Sequence, residues 1–423
     1  MTTATARGAW YPATLISATL TCALAPTYTV RWHLGPLPTT LLEDAILVTV
    51  AVFLIETYRG PRRLEWRTPF TYPALIFLLA GAIDVIAAPD RWAALGLYRA
   101  YLIEPIAFFF VVSTVARSVE RGLLMALGLG VGAAGLAIPN AFVVIDAARH
   151  HALHVESTTP VTIYVTANAV ALYLEPLIAL GGSLLLFSRD RVVQAIALTA
   201  LVIIVPTELL TFSRGGYLAL VGITVGLALA HRRRWWFLAA VAITAVSVSF
   251  IPTIAARLAV ELDFSSRNNT LVGRWELWRN TLRMLKDHPL FGAGLSGFTE
   301  RLGPYWNATH IDRFVDPHNI VLNFWSETGL LGVFAFAWIL IGGFVLSWRG
   351  WKRSASDWRP IHLGVFMALV AVVIHGLIDV PYFKNDLSLE FWILLALTWA
   401  GTKWPAVDGR AEGAAARMPV RST

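Results

Sequence analysis

Twelve long apolar runs dominate this chain and settle which solvent it can fold in. A helix needs ~20 mostly apolar residues to cross a bilayer, since each residue rises ~1.5 Å through a hydrocarbon core ~30 Å thick. Such runs occupy 10–29, 37–57, 69–88, 97–116, 121–145, 163–187, 192–211, 215–230, 235–251, 318–347, 361–379 and 387–403. The seventh and eighth are short and separated only by Phe212-Ser213-Arg214. Charged residues make up 14% of the 423, against ~25% in soluble domains, so a water-soluble globule is excluded. The chain reads as an all-α polytopic membrane protein with about 12 transmembrane helices and one large extramembrane loop. Its single cysteine, Cys22, excludes a disulfide framework or a cysteine-based zinc site within one chain. The first run is too long for a cleavable signal, and further runs follow it, so the N-terminus reads as uncleaved.

Lysine and arginine placement gives the orientation, because cytoplasmic connections carry the basic excess. With both termini inside, the inner connections 58–68, 117–121, 188–191, 231–234 and 348–360 read YRGPRRLEWRT, RSVER, SRDR, HRRR and WRGWKRSASDWRP. The tail adds Arg410, Arg417 and Arg421. The short outer connections hold only Arg31, Arg91, Arg149, Arg214 and Lys384. This asymmetry places the loop 252–317 outside the cytoplasm. It divides the chain into helices over 1–251, the loop 252–317, helices over 318–403 and a cytoplasmic tail 404–423. Much of the net charge of +7 is this inner excess facing anionic headgroups, so no nucleic-acid partner is implied.

The outer loop carries the polar chemistry. Gly273 to Lys286 has helical periodicity, with Trp275, Trp278, Leu282 and Leu285 on one apolar stripe. Arg279, Arg283 and Lys286 form a basic stripe beside it, which suits a helix lying at headgroup depth near phosphates. Arg274 falls almost opposite Arg283, in a first turn where the helix dipole disfavours a cation. Pro289 ends the helix, and the turn Gly292-Ala-Gly294-Leu-Ser-Gly297 offers backbone N–H groups that can cradle phosphate oxygens. Asp316-Pro317 reads as an N-cap and first helical residue, which puts His318 in the first turn of the tenth run. There the positive helix end predicts a largely neutral imidazole, able to accept a proton from a hydroxyl.

Ionisable residues also fall inside the runs: Glu43, Asp44, Glu56, Asp84, Arg99, Glu104, Glu175, Glu208, His375 and Asp379. Such groups face the bundle interior or water. Arg99 and Glu104 can pair with each other or with other helices. Arg214 lies at the outer end of a helix, where Gly215 and Gly216 are expected to break the helix and give it space. No acidic cluster has metal-ligand spacing, so neither a catalytic metal nor a cofactor is expected.

Ser213-Arg214-Gly215 after a hydrophobic helix forms one element of a larger pattern. Others are the Arg274…Trp278 helix followed by His288-Pro289-Leu290…Gly292-Ala-Gly294, then His318-Asn319 with Glu327-Thr-Gly329-Leu-Leu-Gly332. His375-Gly-Leu-Ile-Asp379 closes the series. Together they resemble the O-antigen ligase and polymerase superfamily from about 205 to 400, while the first 200 residues match only in hydropathy. By length and layout the chain is most similar to the ligases. The resemblance implies transfer of a glycan from undecaprenyl diphosphate to the lipid A–core oligosaccharide, at the periplasmic face of the inner membrane, without nucleotide or metal. Carried over, Arg214 and Arg274 would hold the diphosphate and His318 would activate the acceptor hydroxyl. Direct attack opposite the diphosphate would invert the anomeric centre. The catalytic candidates are thus His318, Arg274 and Arg214. Substrate-binding candidates are Arg214, Arg274, Arg279, Gly292, Gly294 and Asn319. Rival readings are a polymerase or a protein O-oligosaccharyltransferase of the same superfamily, and, from another class, a transporter of lipid-linked sugar. Internal repeats expected of many transporters are not evident.

The topology has a direct check. Cysteines introduced into 252–317 should react with an impermeant thiol reagent added outside the inner membrane. Labelling that requires permeabilisation of that membrane would reverse the orientation.

Overall fold

The computed structural model describes residues 11–35, 37–60, 63–150, 159–249, 270–308, 314–354 and 357–404. The expected loop up to Thr270 (residues 252–269), residues 309–313, and the tail with Arg410, Arg417 and Arg421 lie outside the described residues. The described chain is nearly all helical. In order come α1 (Pro12–Ala23), a short hairpin of β1 (Arg31–Leu34) and β2 (Leu37–Thr40), α2 (Leu41–Tyr58), α3 (Thr71–Ala87) and α4 (Arg91–Tyr98). A π-helical turn, Arg99–Ile103, leads into α5 (Glu104–Val115). Then follow α6 (Val119–Arg149), α7 (Ala167–Phe187), α8 (Arg191–Leu210), α9 (Arg214–Ala230) and α10 (Arg234–Ser249). The last group is α11 (Thr270–Asp287), α12 (Phe298–Leu302), α13 (Ile320–Arg353), α14 (Arg359–Gly376) and α15 (Asn385–Lys403).

Each of the twelve apolar runs contains a helix. Six continuous helical stretches among the described residues are long and apolar enough to cross a membrane: 91–115, 119–149, 167–187, 191–210, 320–353 and 359–376. The chain is therefore a multi-pass helical membrane protein. Pro139, Pro176 and Pro206 sit inside α6, α7 and α8, a placement that neighbouring helices make tolerable in a bilayer. Helix starts follow local chemistry: Thr40 and Glu43 form a reciprocal capping box on α2, and Ser118, Thr166 and Ser213 accept the first amides of α6, α7 and α9.

The structure corrects four local expectations. Residues 37–40 are a strand that pairs with β1 rather than the start of a span. Gly215 and Gly216 do not break a helix; they lie in the first turn of α9, which begins at Arg214. α11 begins at Thr270, so Arg274 stands beyond the first turn and the dipole argument for it lapses. The fourth concerns the face that α11 buries. Leu277, Met284 and Leu285 are buried against Phe298 and Leu302, while Trp275 and Leu282 of the expected stripe are 63% and 48% exposed.

α13 bends at its Glu327-Thr328-Gly329 segment, where Gly329 has φ +59° and ψ −172°. The glycine-rich turn fits into that bend. Ala293 N–H donates to the Ser326 carbonyl at 2.7 Å, and Leu330 N–H donates to the Leu290 carbonyl at 3.0 Å. Gly292, at φ +62°, lies against the Trp325 and Ser326 carbonyls. A Cβ on Gly292 or Gly329 would overlap backbone oxygen, and left-handed geometry in a non-glycine residue adds ~1–3 kcal/mol of strain. Gly329→Ala should therefore lower the thermal midpoint of the purified protein and separate the turn from α13. An unchanged melting curve would show that the bend relaxes without cost.

Candidate active site

A cavity of about 830 Å³ opens where the first residues of α7, α11 and α13 meet the turn after α14. Its charged lining is Arg274, Asp316, His318, Glu327, Asp379 and Lys384, and Tyr28, Tyr101, Phe314 and Phe383 supply aromatic walls. The volume falls within the range that encloses small ligands or part of a larger one.

His318 is held by its neighbours rather than by a helix. α13 starts at Ile320, with Asn319 as its N-cap, whose Oδ1 accepts from Val321 and Leu322 N–H at 3.1 Å each. Asp316 and Pro317 are thus not the cap and first residue. Asp316 Oδ1 instead accepts the His318 backbone N–H at 3.0 Å. His318 itself is left-handed, at φ +46°. Such geometry is uncommon outside glycine and is imposed here from several sides. The Trp278 indole donates to the Pro317 carbonyl at 3.0 Å, and Phe314 packs edge-on to the imidazole at 4.5 Å between centroids.

The imidazole Nδ1 lies 3.3 Å from Asp379 Oδ1 and 3.1 Å from Asp316 Oδ1. Asp379 also accepts from Asn168 Nδ2 at 2.7 Å and from the Val380 N–H at 2.8 Å. Asn319 Nδ2 donates to the Leu377 carbonyl at 3.0 Å, which ties the start of α13 to the turn that carries Asp379. Burial opposes the His318 imidazolium, but the Asp379 hydrogen bond and the Asp316 charge outweigh it and raise the pKa, despite nearby Arg274. Burial pushes Asp379 up, yet the hydrogen bond and charge of His318, with His375 and Arg274, bring it well below the usual carboxylate range. The shift runs opposite to the one expected from a helix end, towards the imidazolium. A proton on Nδ1 faces carboxylate, so Nε2 is the nitrogen available to accept a proton.

The other candidates separate. Arg274 lines the cavity. Arg214 is not among its lining residues; it precedes Gly215, where a Cβ would collide with the His375 ring. Arg279 is exposed on the far side of α11. Gly292 and Gly294 are buried in the corner against α13 and α3. The N–H groups of Gly292, Ala293 and Gly297 donate to the His288, Ser326 and Gly294 carbonyls, and that of Ser296 donates to Glu327 at 2.8 Å. Those four amides are committed within the protein, which makes the turn a structural joint against α13. Asn319 is a cap and a tether. Sequence reading noted Asp379 in its motif but missed its partnership with His318.

Below Asp379 the polar chain continues. His375 Nε2 is 4.0 Å from Asp379 Oδ2, and its Nδ1 is 2.7 Å from Glu175 Oε1. Glu175 and Glu208 both approach the bare Cα of Gly216. All three side chains are buried. Ionisable groups at such depth are costly and mark function. Elsewhere in the bundle Arg99 pairs with both Glu43, at 2.6 Å, and Glu104, at 3.2 Å.

A set of membrane-length helices around a cavity with a charged and aromatic lining defines the class: a multi-pass membrane protein with an internal site. Residues 199–337, from α8 into α13, match the family described as O-Antigen ligase. The matched stretch contains Arg214, Arg274 and His318 but ends before Asp379. An uncharacterized protein of Haemophilus influenzae is 25% identical over 162 residues, covering 34% of this chain and 40% of that protein. The aligned region thus spans two fifths of that relative.

A base at His318 must be neutral to act. Because its pKa is raised, the rate of any reaction it serves should climb with pH through a value above ~6.5, the ordinary imidazole pKa. Asp379→Asn removes the main support of the imidazolium, so that limb should move to lower pH while the plateau rate falls. An unmoved limb in the Asp379→Asn profile would exclude His318 as the titrating group.

Proposed function

We propose that this protein is an O-antigen ligase of the bacterial inner membrane. It transfers a glycan from undecaprenyl diphosphate to the lipid A–core oligosaccharide at the periplasmic face. The observation that carries the reading is the His318–Asp379 pair opening onto the same cavity as Arg274, with His318 and Arg274 inside the family match.

The acceptor hydroxyl enters beside His318 Nε2, which takes its proton as the oxygen attacks the anomeric carbon. The bond from that carbon to the diphosphate oxygen breaks, and its electrons leave with the diphosphate. Attack from the opposite face inverts the anomeric centre. Arg274 stabilises the departing charge through planar, bidentate donors; Arg214, at the start of α9 and outside the cavity lining, adds a second such donor only where the bound diphosphate extends to it. Asp379 fixes the imidazole tautomer and supports the imidazolium that forms. The aromatic walls Tyr28, Tyr101, Phe314 and Phe383 offer sugar rings apolar faces. In this reading all twelve apolar runs span the membrane, and 252–317 caps the cavity from the periplasm.

Purified protein with lipid-linked glycan and lipid A–core should form glycosylated core, with one isoprenyl diphosphate released per transfer. Longer lipid-linked glycan in place of glycosylated core would make it a polymerase. General-base help is worth ~10²–10⁴ in rate. His318→Gln should therefore retain donor binding yet lose at least about a hundredfold in turnover at saturating substrates. Near-normal turnover would assign the proton to another route. Arg274→Lys should rescue poorly, since an ammonium cannot reproduce the guanidinium fork.

A further inference from the structure

The transfer chemistry leaves two polar side chains of the cavity without a role. Asn323 and Glu327 stand four residues apart on α13, on one face of the helix, and both line the cavity that holds Arg274 and His318. They are 1% and 7% exposed. Asn323 Nδ2 has no hydrogen-bond partner among the described residues. Glu327 Oε2 accepts the Ser296 N–H at 2.8 Å, and among the described residues no hydrogen bond reaches its Oε1. Asp84 and Asp316 both lie within electrostatic reach of this carboxyl.

The surroundings hold these groups in place. Ser296 is left-handed, at φ +64°, and itself lines the cavity. Backbone strain of this kind in a non-glycine residue persists only where the neighbours enforce it, and it gathers at ligand sites. α13 bends directly after Glu327, at Thr328-Gly329, where the Gly292-to-Gly297 turn is docked. On another wall, Tyr101 packs edge-on to Phe383 at 6.2 Å between centroids. Tyr101 comes from the π-helical turn Arg99–Ile103, a form of helix frequent at functional sites. One cavity thus combines aromatic rings, a carboxyl with a spare oxygen and an amide with a spare donor.

We infer that Asn323 and Glu327 form a subsite for two neighbouring hydroxyls of a sugar ring, with Tyr101 and Phe383 beside the ring. The inference rests on the glycan-transfer reading and adds the residues that select the sugar. A phosphate offers acceptors alone and would set its oxygens against Glu327. An ammonium offers donors alone and would leave the Asn323 amide unpaired. Hydroxyls both donate and accept. One can donate to Glu327 Oε1 while its neighbour accepts from Asn323 Nδ2. The terminal torsion of asparagine is broad, so the amide turns to meet a ligand at little cost.

Asn323→Leu tests this with opposite readouts from one substitution. It keeps the size of the side chain and removes a buried donor that has no partner, so the ligand-free variant should melt at a higher temperature than the natural protein. Glu327→Gln keeps an oxygen for the Ser296 N–H and should melt as the natural protein does. The probes are a prenyl diphosphate, the same lipid carrying glucose, galactose or N-acetylglucosamine, and lipid A–core, each titrated into full-length protein in detergent. Each variant should bind the sugar-bearing ligand at least about tenfold more weakly and the bare diphosphate unchanged, consistent with loss of a hydrogen bond at a buried site. Weakening confined to the lipid-linked sugars assigns the subsite to the donor, and weakening confined to lipid A–core assigns it to the acceptor. Natural affinity of both variants for every sugar-bearing ligand would overturn the inference and leave the transfer reading standing. So would sugars that add nothing to diphosphate affinity in a protein that also fails to bind core. Equal weakening of the bare diphosphate, or a lower melting temperature for Asn323→Leu, would identify a packing role and reject the subsite. A natural protein that binds neither prenyl diphosphate nor core would overturn the transfer reading itself, and the inference with it.

Discussion

The site depends on one carboxylate held between helices that are distant in sequence. Asp379 receives Asn168 from α7, His318 from the entry to α13 and the N–H of its own neighbour Val380. A buried carboxylate without partners costs several kcal/mol or gives up its charge. Here the partners exist only when α7, α13 and the end of α14 converge. Asn319 secures the convergence by capping α13 with one side-chain atom and holding Leu377 with the other. The same contacts that satisfy Asp379 therefore aim His318 into the cavity.

The electrostatics of His318 show why proximity outranks a helix end. A charge near a helix terminus is typically worth ~0.3–1 kcal/mol. Two unit charges 4 Å apart interact by ~4 kcal/mol at an effective dielectric of 20. Asp316 and Asp379 both lie closer than that to Nδ1. Even a correctly placed helix start would have been outweighed. The backbone at His318 is left-handed in any case, so the residue stands outside the helix whose dipole was invoked.

The helices were legible because apolar runs of membrane length have few other outcomes, and Ser213 and Thr166 mark their starts by ordinary capping chemistry. The pairing of His318 with Asp379 was not legible, because 61 residues separate them and no local pattern encodes the contact. Periodicity found an apolar stripe on α11 but could not say whether protein or lipid covers it. Leu285 turned inward while Trp275 and Leu282 stayed exposed. The glycines at 292 and 294 were visible as special backbone. Whether the Ala293 amide between them would meet a phosphate or a carbonyl depended on the bend at Gly329, over thirty residues further along the chain, beside which the Ser326 carbonyl accepts it.

Arg214-Gly215-Gly216 gains a physical reading from what lies beneath it. A side chain at Gly215 would occupy the His375 ring, and one at Gly216 would occupy the Glu208 carboxyl. The two glycines therefore give α9 a bare first turn that can rest directly on the imidazole and carboxyls below Asp379. Ser213 begins that turn by accepting the Gly216 N–H at 3.1 Å. The segment joins a capped helix start that carries a cation to a surface without side chains that admits buried polar groups. His375, 4.0 Å from Asp379, links this surface to the carboxylate that orients His318. The arginine motif, the His375…Asp379 motif and the His318-Asn319 motif thus belong to one packed unit, which accounts for their appearance together in a chain otherwise given over to apolar helices.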